Sequence, residues 1–166
     1  MIETLWDKYD HSVVTDWYRD MFVKCADIAL VSDQSLHTTI GVVAATSPRV
    51  SLHSNLLMAE RALSHGDVRC LFANKVHALI DGEAWEDVLG MKTLDFAYAI
   101  QTKGDHDRAP MDIWAARAAG ITGLWAPSRK QYETLLDEYK AIAADVDRPV
   151  AMVQADIWCF ERGAKW

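Results

Sequence analysis

Apolar residues recur along this chain at three- and four-residue intervals, a pattern that predicts helices from end to end. Trp17, Met21, Cys25, Ile28 and Ala29 form one stripe of an amphipathic helix over about Val14 to Val31. Leu36 to Ala45 is apolar on nearly every side, as a central helix is. Pro48 marks its end by disfavouring helical geometry in the residue before it. Ser51 is placed to cap a third helix, whose stripe of Leu52, Leu56, Ala59 and Leu63 stops before Gly66. Asp67 is placed to cap a fourth, running to about Ile80 and closing at Asp81-Gly82. Further on, Ser128 and Gln131 have the spacing of a capping box, opening a long helix through Tyr132, Leu135, Leu136, Tyr139 and Ile142. Asp147 as cap, with Pro149 just inside the start, announces a last helix from Val150 to Glu161. Ile40 to Ala44 also fits a strand, but no second run of that kind accompanies it. The expected class is all-α, in one domain spanning residues 1–166.

Between these helices, residues 84–120 depart from a simple stripe. They read as a short helix, a tight turn at Val88-Leu89-Gly90, and a second helix from about Met91 to Gln101. A polar loop from Thr102 to Arg108 follows, and then a helix starting near Pro110. A glycine turn that opens a helix presents backbone N–H groups to an anion. Lys92 lies in the first turn of that helix, where the dipole disfavours a cation, so the position is chosen for something other than stability. Asp112 lies at a helix start that favours a carboxylate. Taken singly, Asp112 reads as a cap and Lys92 as a solvated lysine.

Composition narrows the class. The chain has 166 residues, 51% hydrophobic and including seven Trp, enough to bury a core without staples. Cys25, Cys70 and Cys159 are odd in number and far apart, which fits small buried side chains better than a disulfide framework. Three cysteines are also too few for an iron–sulfur cluster. The six His show no metal-ligand spacing, and His106, between Asp105 and Asp107, reads as solvated. No metal or cofactor is expected. No run approaches the roughly 18–20 apolar residues of a membrane span. The opening Met1-Ile2-Glu3-Thr4 lacks a signal pattern, so a cytoplasmic protein with no membrane partner is expected. The net charge of −7 argues against a broad nucleic-acid surface. Residues 92–130 alone carry a positive balance, six Lys and Arg against four Asp, which permits a local phosphate contact.

Leu89-Gly90-Met91-Lys92-Thr93, followed by Met111-Asp112-Ile113-Trp114-Ala115-Ala116-Arg117, resembles the helix-hairpin-helix DNA glycosylases of the endonuclease III superfamily. In those proteins a Gly-x-Lys-Thr hairpin precedes the segment carrying a catalytic aspartate. Upstream, Ala45-Thr46-Ser47-Pro48-Arg49-Val50-Ser51 resembles their loop that inserts into the duplex. A closer likeness is to small uncharacterised phage proteins of that fold. These share a Ser-Pro-x-x-Ser/Thr…Asn-x-x-x-Ala-Glu stretch and a C-terminal Gln-Ala-x-x-Trp…Arg-Gly, here Gln154-Ala155-Asp156-Ile157-Trp158 and Arg162-Gly163. The resemblance spans residues 36–163. Departures are specific: Val88 stands near the first hairpin glycine, Asp87 replaces the proline before it, and Arg49 takes the usual glutamine position.

The resemblance implies a DNA N-glycosylase acting on a damaged or modified base in double-stranded DNA. Asp112 would stabilise positive charge developing on the deoxyribose, as carboxylates do in other glycoside hydrolyses. Lys92 would be the amine nucleophile of a glycosylase with lyase activity. Ser47, Arg49, Gly90, Thr93 and Arg117 would contact DNA, with Arg49 as a wedge or phosphate contact. Asn55 and Trp114, with His53 beside them, would line the pocket for an extruded base. Two other readings stay open: a base-modifying transferase acting on hypermodified thymine in the same fold, and a non-catalytic module binding DNA or a protein. A phage-encoded protein would act in the host cytoplasm.

Overall fold

The most apolar helix predicted from sequence is the one around which the others assemble. In a computed structural model that describes residues 15–163, Leu36–Thr46 (α2) is buried along every position from Thr39 to Thr46. Its start is fixed by Ser35, whose hydroxyl accepts the Thr38 N–H at 3.0 Å. Four helices pack on it: Trp17–Ser32 (α1), Leu52–His65 (α3), Ala73–Ile80 (α4) and, beyond the short Trp85–Val88 (α5), Met91–Gln101 (α6). A second group comprises Ile113–Ala118 (α7), Arg129–Asp145 (α8) and Val150–Arg162 (α9), in which α9 lies against α7, α8 and α1. All regular elements among the described residues are helical, and the two groups form a single compact domain. No helix among them is long and apolar enough to cross a membrane.

Gly41 shows how tightly the first group closes. A Cβ there would fall 2.5 Å from Trp85 Nε1, so glycine lets the Trp85 indole lie directly on α2. Glycine inside a helix costs about 1 kcal/mol relative to alanine, a cost offset by burying Trp85 to 1% exposure. His37 stacks on the same indole at 4.0 Å between centroids, and Tyr98 meets its edge at 5.4 Å. The Tyr98 hydroxyl donates to Glu86, joining α6 to α5 across the intervening turn.

Several predicted boundaries hold. Ser51 caps α3, Gly66 ends it in the left-handed conformation at φ 66°, and Ser128 with Gln131 forms a complete capping box on α8. Three do not. Residues 67–72 are irregular and α4 begins at Ala73; the Asp67 carboxylate, expected to cap, is instead engaged by Arg69 at 2.7 Å. The helix expected near Pro110 begins at Ile113, with Asp112 as the cap itself. Asp147 sits at φ 51° outside α9, and Pro149 occupies the cap position. The predicted start of α1 at Val14, like the opening residues, lies outside the described residues.

Candidate functional site

Chain segments from both helix groups meet at one cleft of about 770 Å³. Its walls are the first turn of α1, the turn between α2 and α3, the start of α6, the extended residues leading into α7, and one face of α9. That volume is within the usual range for a small-molecule site.

Asp112 stands where the two groups adjoin. Its Oδ1 accepts the backbone N–H of Trp114 and of Ala115, each at 2.9 Å, which caps α7. Its Oδ2 accepts the indole N–H of Trp158 from α9 at 3.1 Å. The carboxylate is therefore held at both oxygens, and the residue remains half-buried at the cleft wall. It is the only Asp or Glu on that wall among the described residues. Its charge is felt nearby: burial first, and Asp112 next, push the phenols of Tyr18 and Tyr139 well above their ordinary values.

The segment before Asp112 is anchored by a part-buried polar network. Arg108 forks onto Asp95 of α6, with Nε to Oδ1 at 2.8 Å and Nη2 to Oδ2 at 3.2 Å, and also reaches Glu133 of α8. Tyr132 donates to Asp95 Oδ2 at 2.8 Å and accepts the Met111 N–H at 3.2 Å. Burial and the Asp95 charge hold the Tyr132 phenol far above its usual range, so it stays a donor. Hydrogen bonding to Glu133 and Asp95 keeps Arg108 firmly charged. This network fixes Met111 directly, and with it the approach to Asp112.

Four cations line the cleft: Arg49, Lys75, Lys92 and Arg162. None forms an ion pair among the described residues, although the chain carries 24 Asp and Glu. Arg162 is set between two indoles, its guanidinium carbon 4.6 Å from the Trp158 ring and 5.4 Å from the Trp114 ring. Such stacking orients a guanidinium without neutralising it. Eight aromatic residues share the wall, among them Trp17, Trp114, Trp125 and Trp158. A low-dielectric aromatic wall, one carboxylate and unpaired cations suit a flat ring attached to an anion.

Of the residues singled out in the sequence, Asp112, Lys92, Ser47, Arg49, Gly90, Thr93, Asn55 and Trp114 all line this cleft. Arg49 adopts φ 63°, a strained left-handed backbone for a non-glycine residue, in the exposed turn after α2. Gly90 has an ordinary extended backbone, and no atom lies within 4 Å of where its Cβ would be. Packing within the described protein therefore gives no reason for glycine there. No side chain caps α6 either; Thr93 instead donates to the Gly90 carbonyl at 3.1 Å. Asn55 is buried, paired with Thr46. Arg117 is outside the cleft wall, exposed, with its guanidinium carbon 4.7 Å from the centroid of the Trp114 ring. His53 is exposed and also outside it. His106, expected to be solvated, is only 20% exposed, with its ring 5.5 Å from that of Tyr98.

Sequence reasoning gave no role to Trp158, Arg162, Gln154, Tyr18 or Lys75. The C-terminal likeness drew attention to the first three, but their spacing on one helix is also that of ordinary core and surface positions. Neither a curated protein nor a solved structure matches the chain. The sequence profile of a family of unknown function (DUF7178) matches residues 6–165, and the chain belongs to that family.

Proposed function

We propose that this protein is a DNA N-glycosylase that draws a damaged or modified base into the cleft and hydrolyses its bond to deoxyribose. The observation that carries the reading is the placement of Asp112, the single carboxylate of an aromatic cleft, beside four cations that form no ion pair among the described residues. The resemblance of the Gly90–Thr93 and Met111–Arg117 segments to helix-hairpin-helix glycosylases supports it. In the reaction, the bond between the sugar C1′ and the base nitrogen breaks, the electron pair leaving with the base. Water supplies hydroxide to C1′ and a proton to the base. Positive charge develops on the sugar as the bond breaks, and Asp112 would stabilise it there. Arg49, Lys75, Lys92 and Arg162 would hold phosphates, and the aromatic wall would stack the extruded base. Gly90 would let a phosphate approach the uncapped start of α6.

The test uses duplexes containing uracil, 5-hydroxymethyluracil or oxidised bases, treated with alkali after incubation. Strand breaks that disappear in Asp112→Asn are expected. No break on any base would overturn the reading. Lys92 acting as nucleophile is a narrower version, tested by borohydride trapping of a protein–DNA adduct that Lys92→Ala abolishes. A second reading, binding without excision, draws on the engagement of both Asp112 oxygens in hydrogen bonds. It predicts DNA affinity in the wild type with no abasic product.

A further inference from the structure

Gln154 projects from α9 into the cleft wall and is 4% exposed. Its Oε1 accepts the hydroxyl of Tyr18 at 3.0 Å. Tyr18 is itself buried, and its phenol is held in the protonated form by burial and by the charge on Asp112. That hydroxyl donates to no other atom among the described residues, so the amide must present oxygen to it. The amide nitrogen then faces the other way. It makes no hydrogen bond to a described residue, and Gln154 lines the cleft, which leaves its N–H groups to a ligand or water there. A buried amide with unmet donors is costly unless a ligand or water satisfies it. Tyr18 thus acts as a latch that keeps a donor, and not an acceptor, turned towards the cleft.

We propose that Gln154 is the specificity-determining residue of this site and donates from Nε2 to a carbonyl oxygen on the ring of the bound base. This assignment rests on the DNA-base reading of the cleft and adds the class of base to it. The preferred class is a base that turns a ring carbonyl towards Gln154, with uracil as the probe. A shape mimic with fluorine in place of the ring carbonyls would leave the buried donor unmet. The aromatic wall contributes stacking to any flat ring and so does not discriminate between them. Gln154 supplies the distinction.

The experiment compares wild type and Gln154→Glu binding to three duplexes by fluorescence anisotropy at low salt. One has a central deoxyuridine, one its difluorotoluene isostere, and one is unmodified. Glutamate keeps the acceptor for Tyr18 but removes the N–H donors. Wild type is expected to prefer deoxyuridine over the isostere by about tenfold, the worth of one buried hydrogen bond. In Gln154→Glu that ratio should fall to about one. A Tyr18→Phe variant, which frees the amide to rotate, should lose part of the preference while keeping Gln154. Retention of the full ratio in a folded Gln154→Glu protein would overturn this assignment and leave the glycosylase reading intact. Equal wild-type binding to deoxyuridine and isostere would do the same. Failure of wild type to bind any duplex would overturn both.

Discussion

Asp112 and Trp158 come from different helices and share one hydrogen bond, so their energetic coupling can be measured apart from any activity. Asparagine caps helices about as well as aspartate. In Asp112→Asn, the two bonds from Trp114 and Ala115 to Oδ1 are therefore kept. Two things are lost. One is the interaction of the charge with the start of α7, about 0.3–1 kcal/mol at a partly exposed site. The other is the bond at Oδ2, because an amide N–H₂ would now face the Trp158 N–H. Bonds to charged groups contribute about 1.5–3 kcal/mol when buried, and half-burial of both partners sets this one near 1.5 kcal/mol. Asp112→Asn should thus cost about 2 kcal/mol in a wild-type background. In a Trp158→Phe background the indole donor is already gone, and the same change should cost only about 0.3–1 kcal/mol. The expected coupling is about 1–1.5 kcal/mol. Urea unfolding followed by far-UV circular dichroism reads it directly, and for a domain of this size each kcal/mol moves Tm by about 2–4 °C. Additivity of the two substitutions to within about 0.5 kcal/mol would refute the argument that Trp158 holds the carboxylate.

Gly90→Ala should leave stability within about 1 kcal/mol, because its backbone is ordinary and its surroundings open, yet weaken DNA binding in anisotropy titrations. Arg49→Gly should relieve the left-handed strain and raise stability by about 1 kcal/mol in urea, while lowering DNA affinity and reducing the slope of log K against log salt by about one. Hydrogen bonding to Arg108 holds the Glu133 carboxyl below its usual range, so its contribution is present above the unfolded carboxyl range and is lost as pH falls through the lower folded value. With Glu133 35% exposed, that contribution is no more than about 1 kcal/mol. The stability difference between wild type and Glu133→Gln should accordingly be present near neutral pH and close as pH falls below the unfolded carboxyl value of about 4.3. Burial pushes the Cys25 thiol up to about 12, so its alkylation by iodoacetamide near pH 8 should proceed no faster than the protein unfolds.

The elements that were legible in the sequence are those whose ends are written in local chemistry. Ser51 and the Ser128/Gln131 pair act on amides within three residues of themselves, so their roles survive without knowledge of the rest of the fold. The elements misjudged are those where a long-range or competing partner decides. Asp67 pairs with Arg69, and the stretch before Asp112 is held by Tyr132 from α8 and by Arg108 bonding to Asp95 of α6 and Glu133 of α8. Hydrophobic spacing also leaves Trp158 and Gln154 looking like interior residues, because their polar atoms meet partners 46 and 136 positions away in sequence.

Asp112 shows why the capping and functional readings of one residue need not compete. A free aspartate at a cleft wall samples several rotamers, and the cost of ordering it would fall on the reaction. Here the α7 amides occupy one oxygen and the Trp158 indole the other, so the carboxylate is held in one orientation before any ligand arrives. Aromatic and cationic side chains share the wall with it, and among the described residues no second carboxylate lines the cleft. Hydrogen bonds from two backbone amides and an indole attenuate a carboxylate but do not neutralise it. In the proposed hydrolysis, the local field would remain available to the cation that forms on the sugar while the bond breaks. The cap is then the means by which the sequence Met111-Asp112-Ile113-Trp114 fixes the direction of that field. Arg108 and Tyr132, meeting at Asp95, would serve the same end by anchoring the backbone just ahead of it.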